Sequence, residues 1–327
     1  MKRITIIGGG ASGTLTAVNL LRNSGEGPLT ISLIEKRTEI GRGVAYSTDH
    51  DLHFLNVPAG KMSAFPDDPD NFHQWLLSNG FDYAASDFVP RKLYGRYLRE
   101  LLDDAFANAS PNAVINIIND EPENIVFEGD TANVILRSGE KIASDKVVLA
   151  FGNFPPPHPS VPDLRFTEQP KYIRNVWEKD VLSVTDKDDA VLVIGTGLSM
   201  VDVALRLNDS GHKGPIYVIS TRGLVPSVHK LGFNYEQFND TLLKFERITD
   251  VLKEVRKHSV ASSDQDSDWR AVIDSIRPAT QQLWIGLPIA EKRYFMQHLS
   301  RHWNSARHRM PPQVAERLEK NEDGRRF

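Results

Sequence analysis

The sequence predicts an α/β fold with two doubly wound units and a helical C-terminal segment. Two stretches carry this prediction, because each runs from an apolar strand through a glycine turn into an amphipathic helical pattern. They are RITIIGGGASGTLTAVNLL at 3–21 and AVLVIGTGLSMVDVALRLN at 190–208. A strand, turn and helix in this order begin a βαβ unit. A proline-rich segment, NFPPPHPSVP at 153–162, separates the two stretches and interrupts regular structure.

Hydrophobic periodicity predicts the remaining elements. Strands are predicted at 4–7, 29–35, 113–118, 124–128, 133–136 and 145–150, and the three short strands between 113 and 136 are interpreted as a β-meander. Helices are predicted from the first glycine turn to about 23, then at 71–79, 95–107, 238–258, 269–276, 278–283, 290–305 and 312–320. Residues 41–70 and the polar stretch 260–268 are predicted to be loops.

Composition narrows the class of protein. The chain has 327 residues, of which 40% are hydrophobic and 25% charged, with a net charge of −4, so neither nucleic acid nor an anionic membrane is an expected partner. No apolar run is long enough to span a bilayer, and a cytoplasmic protein acting on a small-molecule substrate is expected. Cysteine is absent, which excludes thiol–disulfide redox chemistry and metal sites with thiolate ligands.

The first glycine turn matches the pattern GxGxxG. The first glycine permits a tight turn, the second lets the backbone approach a pyrophosphate, and the third lets helix and strand pack closely. Glu35 ends the next strand about 20 residues later, the spacing of a carboxylate that binds ribose hydroxyls. The alternative is a structural turn followed by a surface glutamate. The candidate cofactor-binding residues are Gly8, Gly10, Ala11, Ser12, Gly13, Glu35 and Lys36.

Further motifs carry a resemblance to known flavoproteins. KVVLAFGN at 146–153 resembles the hydrophobic strand followed by Ala-Thr-Gly that leaves the FAD domain of proteins with two dinucleotide folds, with Phe151 in place of Thr. The longer motifs are GRGVAYSTDHDLHFLNVPAGKMSAFPDDPDNFHQWL (41–76), FVPRKLYGRYL (88–98), GTGLSMVD (195–202), RPATQQLW (277–284) and HWNSARHRMPP (302–312). Together they resemble a bacterial family of FAD/NAD(P)-binding proteins, distantly similar to flavin-dependent ornithine and lysine N-monooxygenases.

The resemblance implies a domain plan and a loop beside the flavin. Residues 1–160 would form an FAD-binding domain, 161–233 an NAD(P)-binding domain, both Rossmann-like, and 234–327 a helical segment. Such flavoproteins return to the FAD domain after the second unit, and the sequence ends at Phe327 without that return, so a fragment or a short variant is expected. The further candidate residues beside the flavin are Asn56, Lys61, Met62, Ser63 and Gly152, with Arg91 nearby.

The second glycine turn carries Gly195 and Gly197, with Met200 where the third glycine would stand. The first two glycines keep the tight turn and the close approach of the backbone to a phosphate. Because Met200 has a side chain, the helix is expected to pack farther from the strand. The following strand ends in Ser220, Thr221 and Arg222 without a carboxylate, which favours a 2′-phosphate and therefore NADP, although NAD remains open. The alternative is a solvated arginine at a strand end. The candidate residues are Gly195, Gly197, Ser199, Met200 and Arg222.

Two dinucleotide units in one chain predict an FAD-dependent, NAD(P)H-using oxidoreductase that passes hydride from nicotinamide to flavin. A monooxygenase is one form of that activity. The alternative is a non-catalytic dinucleotide-binding redox sensor or scaffold. No catalytic residue is predicted. No metal site is predicted either, because His302 and His308 are six residues apart and do not share one helical face well. They are interpreted as part of a basic helix end that would suit a substrate anion.

Overall fold

The structure, a computed structural model, describes residues 2–178, 180–263 and 267–319. The chain divides into two compact units, Met1–Val181 and Leu182–Phe327. The boundaries expected from the sequence, near 160 and 233, remain predictions. Each unit is described separately below.

The first unit is built on a parallel sheet. Its elements are β1 (Lys2–Ile7), α1 (Ala11–Arg22), β2 (Leu29–Ile34), α2 (Gly43–Tyr46), α3 (Asn71–Ser78), α4 (Arg91–Ala107), β3 (Ala113–Ile118), β4 (Pro122–Glu128), β5 (Thr131–Leu136), β6 (Lys141–Ser144) and β7 (Lys146–Leu149). Four strands pair in the order β3-β2-β1-β7, all parallel. In this register Ile7 at the end of β1 lies opposite both Ile34 and Leu149, so these strands finish at one edge. The edge beyond these carboxyl ends is where open α/β sheets bind ligands.

The core explains why α1 lies on this sheet. Its buried residues Ala17, Val18 and Leu21 recur at helical spacing and pack with the buried strand residues Ile6 and Leu33. A second apolar cluster lies beneath the 53–66 loop and joins α3 to α4. Its fully buried aromatic and aliphatic members include Phe72, Leu76, Tyr97 and Leu98.

Three sequence-based interpretations of this unit are wrong. Residues 113–118 do not belong to a β-meander, because β3 pairs in parallel with β2, and the antiparallel three-stranded sheet is β4-β5-β6. Helix α4 begins at Arg91 rather than residue 95, since Pro90 supplies its N-cap position. The 41–70 segment is not entirely loop, because it contains α2 and a 3₁₀ turn at Ala59–Lys61.

The second unit begins with the second βαβ motif and continues as helices. Its elements are β8 (Val191–Ile194), α5 (Leu198–Asp209), β9 (Ile216–Ile219), α6 (Asn239–Leu242), α7 (Ile248–Ser263), α8 (Trp269–Ser275), α9 (Thr280–Gly286), α10 (Ile289–Tyr294), α11 (Ser300–Arg307) and α12 (Pro312–Glu319). Strands β8 and β9 pair in parallel. Leu242, Val251, Val255, Ile273 and Ile276 form a buried core in the helical part. The predicted α/β fold with a helical C-terminal segment is confirmed.

Several predicted helix bounds in this unit are wrong. The helix expected at 238–258 is a short turn, α6, followed by α7, which begins at Ile248. Helix α7 runs on to Ser263 and takes in part of the predicted 260–268 loop, of which 264–266 lie outside the described residues. The helix expected at 290–305 is interrupted by a π-helical stretch at Phe295–Leu299. The 278–283 helix begins as a 3₁₀ turn, and Lys320 lies outside the described residues.

In the part of the chain that the structure describes, no helix is long and apolar enough to cross a bilayer.

Candidate dinucleotide sites

The first glycine loop is held tightly to the sheet. The Gly8 N–H donates to the carbonyl oxygen of Ile34 at 2.8 Å, and Gly8 has φ +104°, a conformation that side chains disfavour. A Cβ at Gly13 would lie 1.8 Å from the Gly8 carbonyl oxygen, well inside atomic contact. Gly13 therefore sets the close approach of α1 to the loop that its place in the motif predicts.

The N-terminus of α1 has no side-chain cap. Gly10 occupies the N-cap position with φ −71° and ψ −170°, and the first turn contains no acidic residue. Ala11 and Ser12 open the helix, where backbone N–H groups lack partners within the helix itself. The positive end of the helix dipole and these donors suit an anion. A Cβ on Gly10 would lie 3.3 Å from the Gly43 Cα, so the 41–43 loop walls this position.

Glu35 turns its carboxylate back onto the glycine loop. One oxygen accepts from the Gly9 N–H at 2.8 Å, and the other accepts from the Arg37 N–H at 3.0 Å. Each carboxylate oxygen has capacity for more than one hydrogen bond, so both remain able to accept from ribose hydroxyls. The structure thus places Glu35 beside the glycine loop, as its spacing predicts.

Sequence reasoning missed the residues that support Glu35. The Asn119 side chain donates to the carbonyl oxygens of Glu35 at 2.9 Å and Arg37 at 3.0 Å, which fixes the turn after β2. The Arg37 guanidinium donates to the Gly43 carbonyl at 3.0 Å and joins this turn to the 41–43 loop. The one sign of this contact in the sequence is the pair of glycines in GRG at 41–43. The candidate Lys36 points elsewhere, to an exposed ion pair with Glu121.

The loop expected beside the flavin is fixed to its surroundings. Backbone hydrogen bonds join it to the chain just before α4, among them Leu55 N–H to Val89 and Ala59 N–H to Asp87, both at 2.8 Å. The Ser63 hydroxyl donates within its own turn, to the carbonyl oxygen of Asp68 at 2.6 Å. Met62 packs on the aromatic cluster beneath the loop. Asn56 is half-buried and Lys61 exposed.

Arg91 and two aromatic residues surround the start of this loop. The Arg91 Nε donates to the Phe54 carbonyl oxygen at 2.9 Å, and its guanidinium lies 6.0 Å from the Trp177 ring centre. His53 is fully buried, with its Nδ1 2.6 Å from the Thr48 hydroxyl. Arg91 therefore holds the start of this loop in place.

Burial raises the pKa of the tyrosines beneath the loop. The phenols of Tyr46 and Tyr94 have raised pKa values because burial disfavours their ionised forms, and the charge of Arg91 opposes the shift at Tyr46. The pKa of Tyr97 is raised for the same reason, although the hydrogen bond that its hydroxyl accepts from the Ala64 N–H at 3.2 Å opposes the shift. These groups remain neutral at physiological pH.

The second glycine loop repeats the backbone geometry of the first. Gly195 has φ +111°, and its N–H donates to the Ile219 carbonyl oxygen at 2.8 Å. Gly197 is the N-cap of α5 with φ −80° and ψ −174°, without a side-chain cap. Met200 takes the position of Gly13 and is 9% exposed, while Ser199 is exposed at the helix start. The two loops thus share backbone conformation at their first two glycine positions and differ in residue type at the third.

Strand register identifies the counterpart of Glu35. Ile7 pairs with Ile34 in the first unit and Ile194 with Ile219 in the second, so Ser220 occupies the place of Glu35. The Thr196 hydroxyl donates to the Leu224 carbonyl oxygen at 2.5 Å, and its oxygen lies 3.1 Å from the Ser220 hydroxyl oxygen. No carboxylate replaces Glu35 here.

The remaining candidates lie apart from these contacts. Arg222 is exposed two residues beyond Ser220. Gly152 is exposed with φ +67°, and nothing lies within 4 Å of the place of a Cβ. Among residues 2–178, 180–263 and 267–319, no group of three or more His, Asp or Glu side chains is placed to hold a metal ion.

Comparison with known proteins agrees with this geometry. Residues 5–154 match a protein family described as FAD-NAD(P)-binding, and this match confirms the predicted cofactor class. No curated protein sequence matches the chain.

Similar solved structures include the ornithine N-hydroxylase of Kutzneria sp. 744, with reduced FAD, NADP⁺ and L-ornithine. It is 16% identical, with TM-score 0.50 over 97% of this chain and 67% of its own. A mutant flavin monooxygenase from Stenotrophomonas maltophilia is 19% identical, with TM-score 0.44 over 70% of this chain and 61% of its own. The bacillithiol disulfide reductase of Staphylococcus aureus is 17% identical, with TM-score 0.43 over 67% of this chain and 58% of its own. The first of these comparisons supports the fold.

Proposed function

We propose that this protein is an FAD-dependent oxidoreductase that uses NADPH. The observation that carries the proposal is the pair of glycine loops with equal backbone geometry and unequal ribose-side residues. Gly8 and Gly195 adopt φ +104° and +111°, and each donates its N–H to the end of the next strand at 2.8 Å. The first loop faces a carboxylate at Glu35, whereas the second has Ser220 in that place.

The first loop fits FAD. The uncapped start of α1 supplies donors for a pyrophosphate, and the absence of a side chain at Gly10 keeps the backbone accessible. Glu35 is pre-oriented by two backbone N–H groups, at 2.8 and 3.0 Å, so it accepts from a ribose without prior reorganisation. The match of residues 5–154 to an FAD-NAD(P)-binding family supports this assignment.

The second loop fits a phosphorylated nicotinamide nucleotide. A carboxylate at the Ser220 position would repel a 2′-phosphate, whereas a hydroxyl donates to one. Arg222 follows on the same turn and is exposed, so its guanidinium is available to a bound phosphate. These features support NADPH over NADH.

A bound flavin would supply the redox chemistry, by accepting reducing equivalents from the nicotinamide and delivering them to an acceptor. The residues of this chain contribute binding and orientation. The 53–66 loop is fastened at both Leu55 and Ala59, so it offers a rigid wall. Neutral tyrosines beneath that loop, including Tyr94, add no charge to the site. Oxygen as the acceptor, and hence a monooxygenase activity, forms part of the proposal.

Optical and kinetic measurements test the proposal. We expect the purified protein to show flavin absorbance and NADPH to bleach it under anaerobic conditions in a stopped-flow instrument. Reoxidation in air, with and without candidate amines, then tests oxygen as the acceptor. Flavin binding without bleaching by either nucleotide would instead favour a non-catalytic sensor or scaffold.

Gly10→Val gives a matched test of the first loop. Its branched side chain would press on Gly43, whose Cα lies 3.3 Å from the Cβ position, and would occupy the approach to the phosphates. We expect loss of flavin with a circular dichroism spectrum like that of the wild type. Wild-type flavin content in this variant would contradict the assignment.

A further inference from the structure

A cavity lies between the two sheets of the first unit. Its walls are strands β1, β2 and β3 of the parallel sheet and strand β6 of the antiparallel sheet. Its volume is about 420 Å³, which is within the range of small-molecule sites. The first glycine loop follows the carboxyl end of β1, and the described lining residues include none of that loop. The proposed cofactor chemistry therefore does not use this cavity.

The floor of the cavity is a row of polar side chains. Strand register places Thr5 opposite Ser32 and Ser32 opposite Asn116, so two hydroxyl groups and an amide lie side by side across three strands. The neighbours of Ser32 in β2, Ile31 and Leu33, pack on the apolar core that includes α1. Because side chains alternate between the two faces of a strand, Ser32 points away from that core and lines the cavity.

Elsewhere the space between the two sheets is apolar and filled. Ile7, Ile34, Val134 and Leu136 form a buried cluster there, contributed by both sheets. Two sheets that only pack on each other bury apolar side chains, because burial of unpartnered polar groups is unfavourable. The polar row departs from this pattern where the sheets leave a cavity.

Ser32 is a buried member of the row that lacks a partner. It is 8% exposed, and within the described residues its hydroxyl makes no hydrogen bond. The hydroxyl oxygen of Thr5, by contrast, lies 2.5 Å from that of Ser144 in a buried pair. Buried polar groups are as a rule hydrogen-bonded, so Ser32 indicates a partner within the cavity. The cavity is far larger than the space that one or two ordered waters need.

The cations that line the cavity are already paired. Arg3 binds Asp145 at 2.7 Å, and Lys141 binds Glu128 at 3.0 Å. Glu140 also belongs to the lining and is exposed. The polar groups of the floor are hydroxyls and an amide, which both donate and accept hydrogen bonds. This chemistry suits an uncharged ligand rich in hydroxyl groups better than it suits an anion.

We infer that this cavity binds a small, uncharged polyhydroxy compound, of the sugar or sugar-alcohol class. Ser32 supplies a hydroxyl at the buried end of the site, and Thr30 supplies a second one from a half-buried position in the same strand. Asn116 is exposed and supplies its amide at the mouth of the cavity. This polyhydroxy site is separate from the dinucleotide sites and does not depend on the proposed redox function.

Isothermal titration with myo-inositol and with D-glucose tests the polyhydroxy site. We expect saturable binding of at least one of these probes by the wild-type protein. Binding should be about 2- to 12-fold weaker in Ser32→Ala and in Thr30→Val, as for the loss of one hydrogen bond between neutral groups. Lys141→Gln is the matched control, because it removes a charge from the lining that an uncharged ligand does not require. No saturable binding of either probe, or unchanged binding in both variants, would overturn the inference.

Stability measurements separate a ligand-binding hydroxyl from a structural one. Without a probe, Ser32→Ala should unfold at a urea concentration no lower than the wild type, because the Ser32 hydroxyl has no partner within the described residues. Thr5→Val should unfold at a lower concentration, because it leaves the buried Ser144 hydroxyl without its partner. The probe that binds should raise the midpoint of the wild type more than that of Ser32→Ala. A destabilised Ser32→Ala that responds to the probe like the wild type would refute the site.

A flavin-site variant separates this inference from the proposed function. A sugar could also enter the ribose position of an empty dinucleotide site. Gly10→Val, which should lose flavin, is therefore expected to bind the probe as the wild type does, whereas Ser32→Ala should keep wild-type flavin absorbance. Loss of probe binding in Gly10→Val would assign that binding to the dinucleotide site and overturn the inference.

Discussion

Replacing Glu35 tests the geometry of the first dinucleotide site most directly. In Glu35→Ala the ribose loses a charged acceptor, and hydrogen bonds to charged groups contribute about 1.5–3 kcal/mol. At about 1.4 kcal/mol per tenfold change, the dissociation constant of FAD should rise roughly 10- to 150-fold. The N–H groups of Gly9 and Arg37 also lose their acceptor, and Gly9 is buried, so the variant should lose stability as well as flavin affinity.

Glu35→Gln refines the test. The amide keeps one acceptor oxygen but turns an N–H₂ group toward one of the two backbone donors, at Gly9 or Arg37. We therefore expect its dissociation constant to lie between those of the wild type and Glu35→Ala. Fluorescence quenching of FAD, titrated into deflavinated protein, measures all three values.

The matched control is Glu121→Ala. Glu121 also lies beyond the carboxyl end of the sheet, but its partners are Lys36 and Arg137 at the surface. We expect flavin binding like that of the wild type. A dissociation constant for Glu35→Ala within twofold of the wild type would refute the reasoning, since the carboxylate would then contribute only to the turn.

Three further changes give distinct outcomes. Gly13→Ala would place its Cβ 1.8 Å from the Gly8 carbonyl oxygen, so denaturant titration should show a loss of about 3 kcal/mol or more, and a loss below 1 kcal/mol would contradict this contact. Arg222→Ala should abolish most of the preference for NADPH over NADH in anaerobic stopped-flow reduction. An undiminished preference would exclude Arg222 as a ligand of the 2′-phosphate. Asp268→Ala removes the N-cap of α8 and should cost about 1 kcal/mol in chemical unfolding. Burial alone would raise the pKa of Asp268, but hydrogen bonds from Arg270 hold that pKa below its usual value. The stabilisation by this N-cap is therefore present at neutral pH and lost as acid protonates the carboxyl group. Equal acid sensitivity of the wild type and the variant would contradict this prediction.

The sequence was sufficient where one local rule determines one structure. Glycines at fixed offsets after an apolar strand define the turn, so both βαβ units could be predicted, together with the position of Glu35. Strand pairing was not predictable in the same way. Residues 113–118 have strand character whichever sheet they join, and only the tertiary structure pairs Ile118 with Ile34.

Helix bounds and the contacts that support Glu35 could not be predicted from the sequence, for a different reason. The expected helix from residue 238 is interrupted before Ile248, although its amphipathic pattern continues, since periodicity does not report where backbone hydrogen bonds stop. Asn119 supports the Glu35 turn across 84 residues of sequence. No local pattern contains such a contact, because the parallel sheet brings these residues together.

The close approach of Gly10 to Gly43 constrains how the sequence can change over time. A Cβ on Gly10 would lie 3.3 Å from the Gly43 Cα, and a Cβ on Gly43 would lie 3.1 Å from the Gly10 Cα. Each contact is with a backbone Cα, which every residue has, so glycine at one position does not make room for a side chain at the other. Gly43 also has φ +53°, a conformation that side chains disfavour. Wherever this turn is kept, both positions should therefore remain glycine.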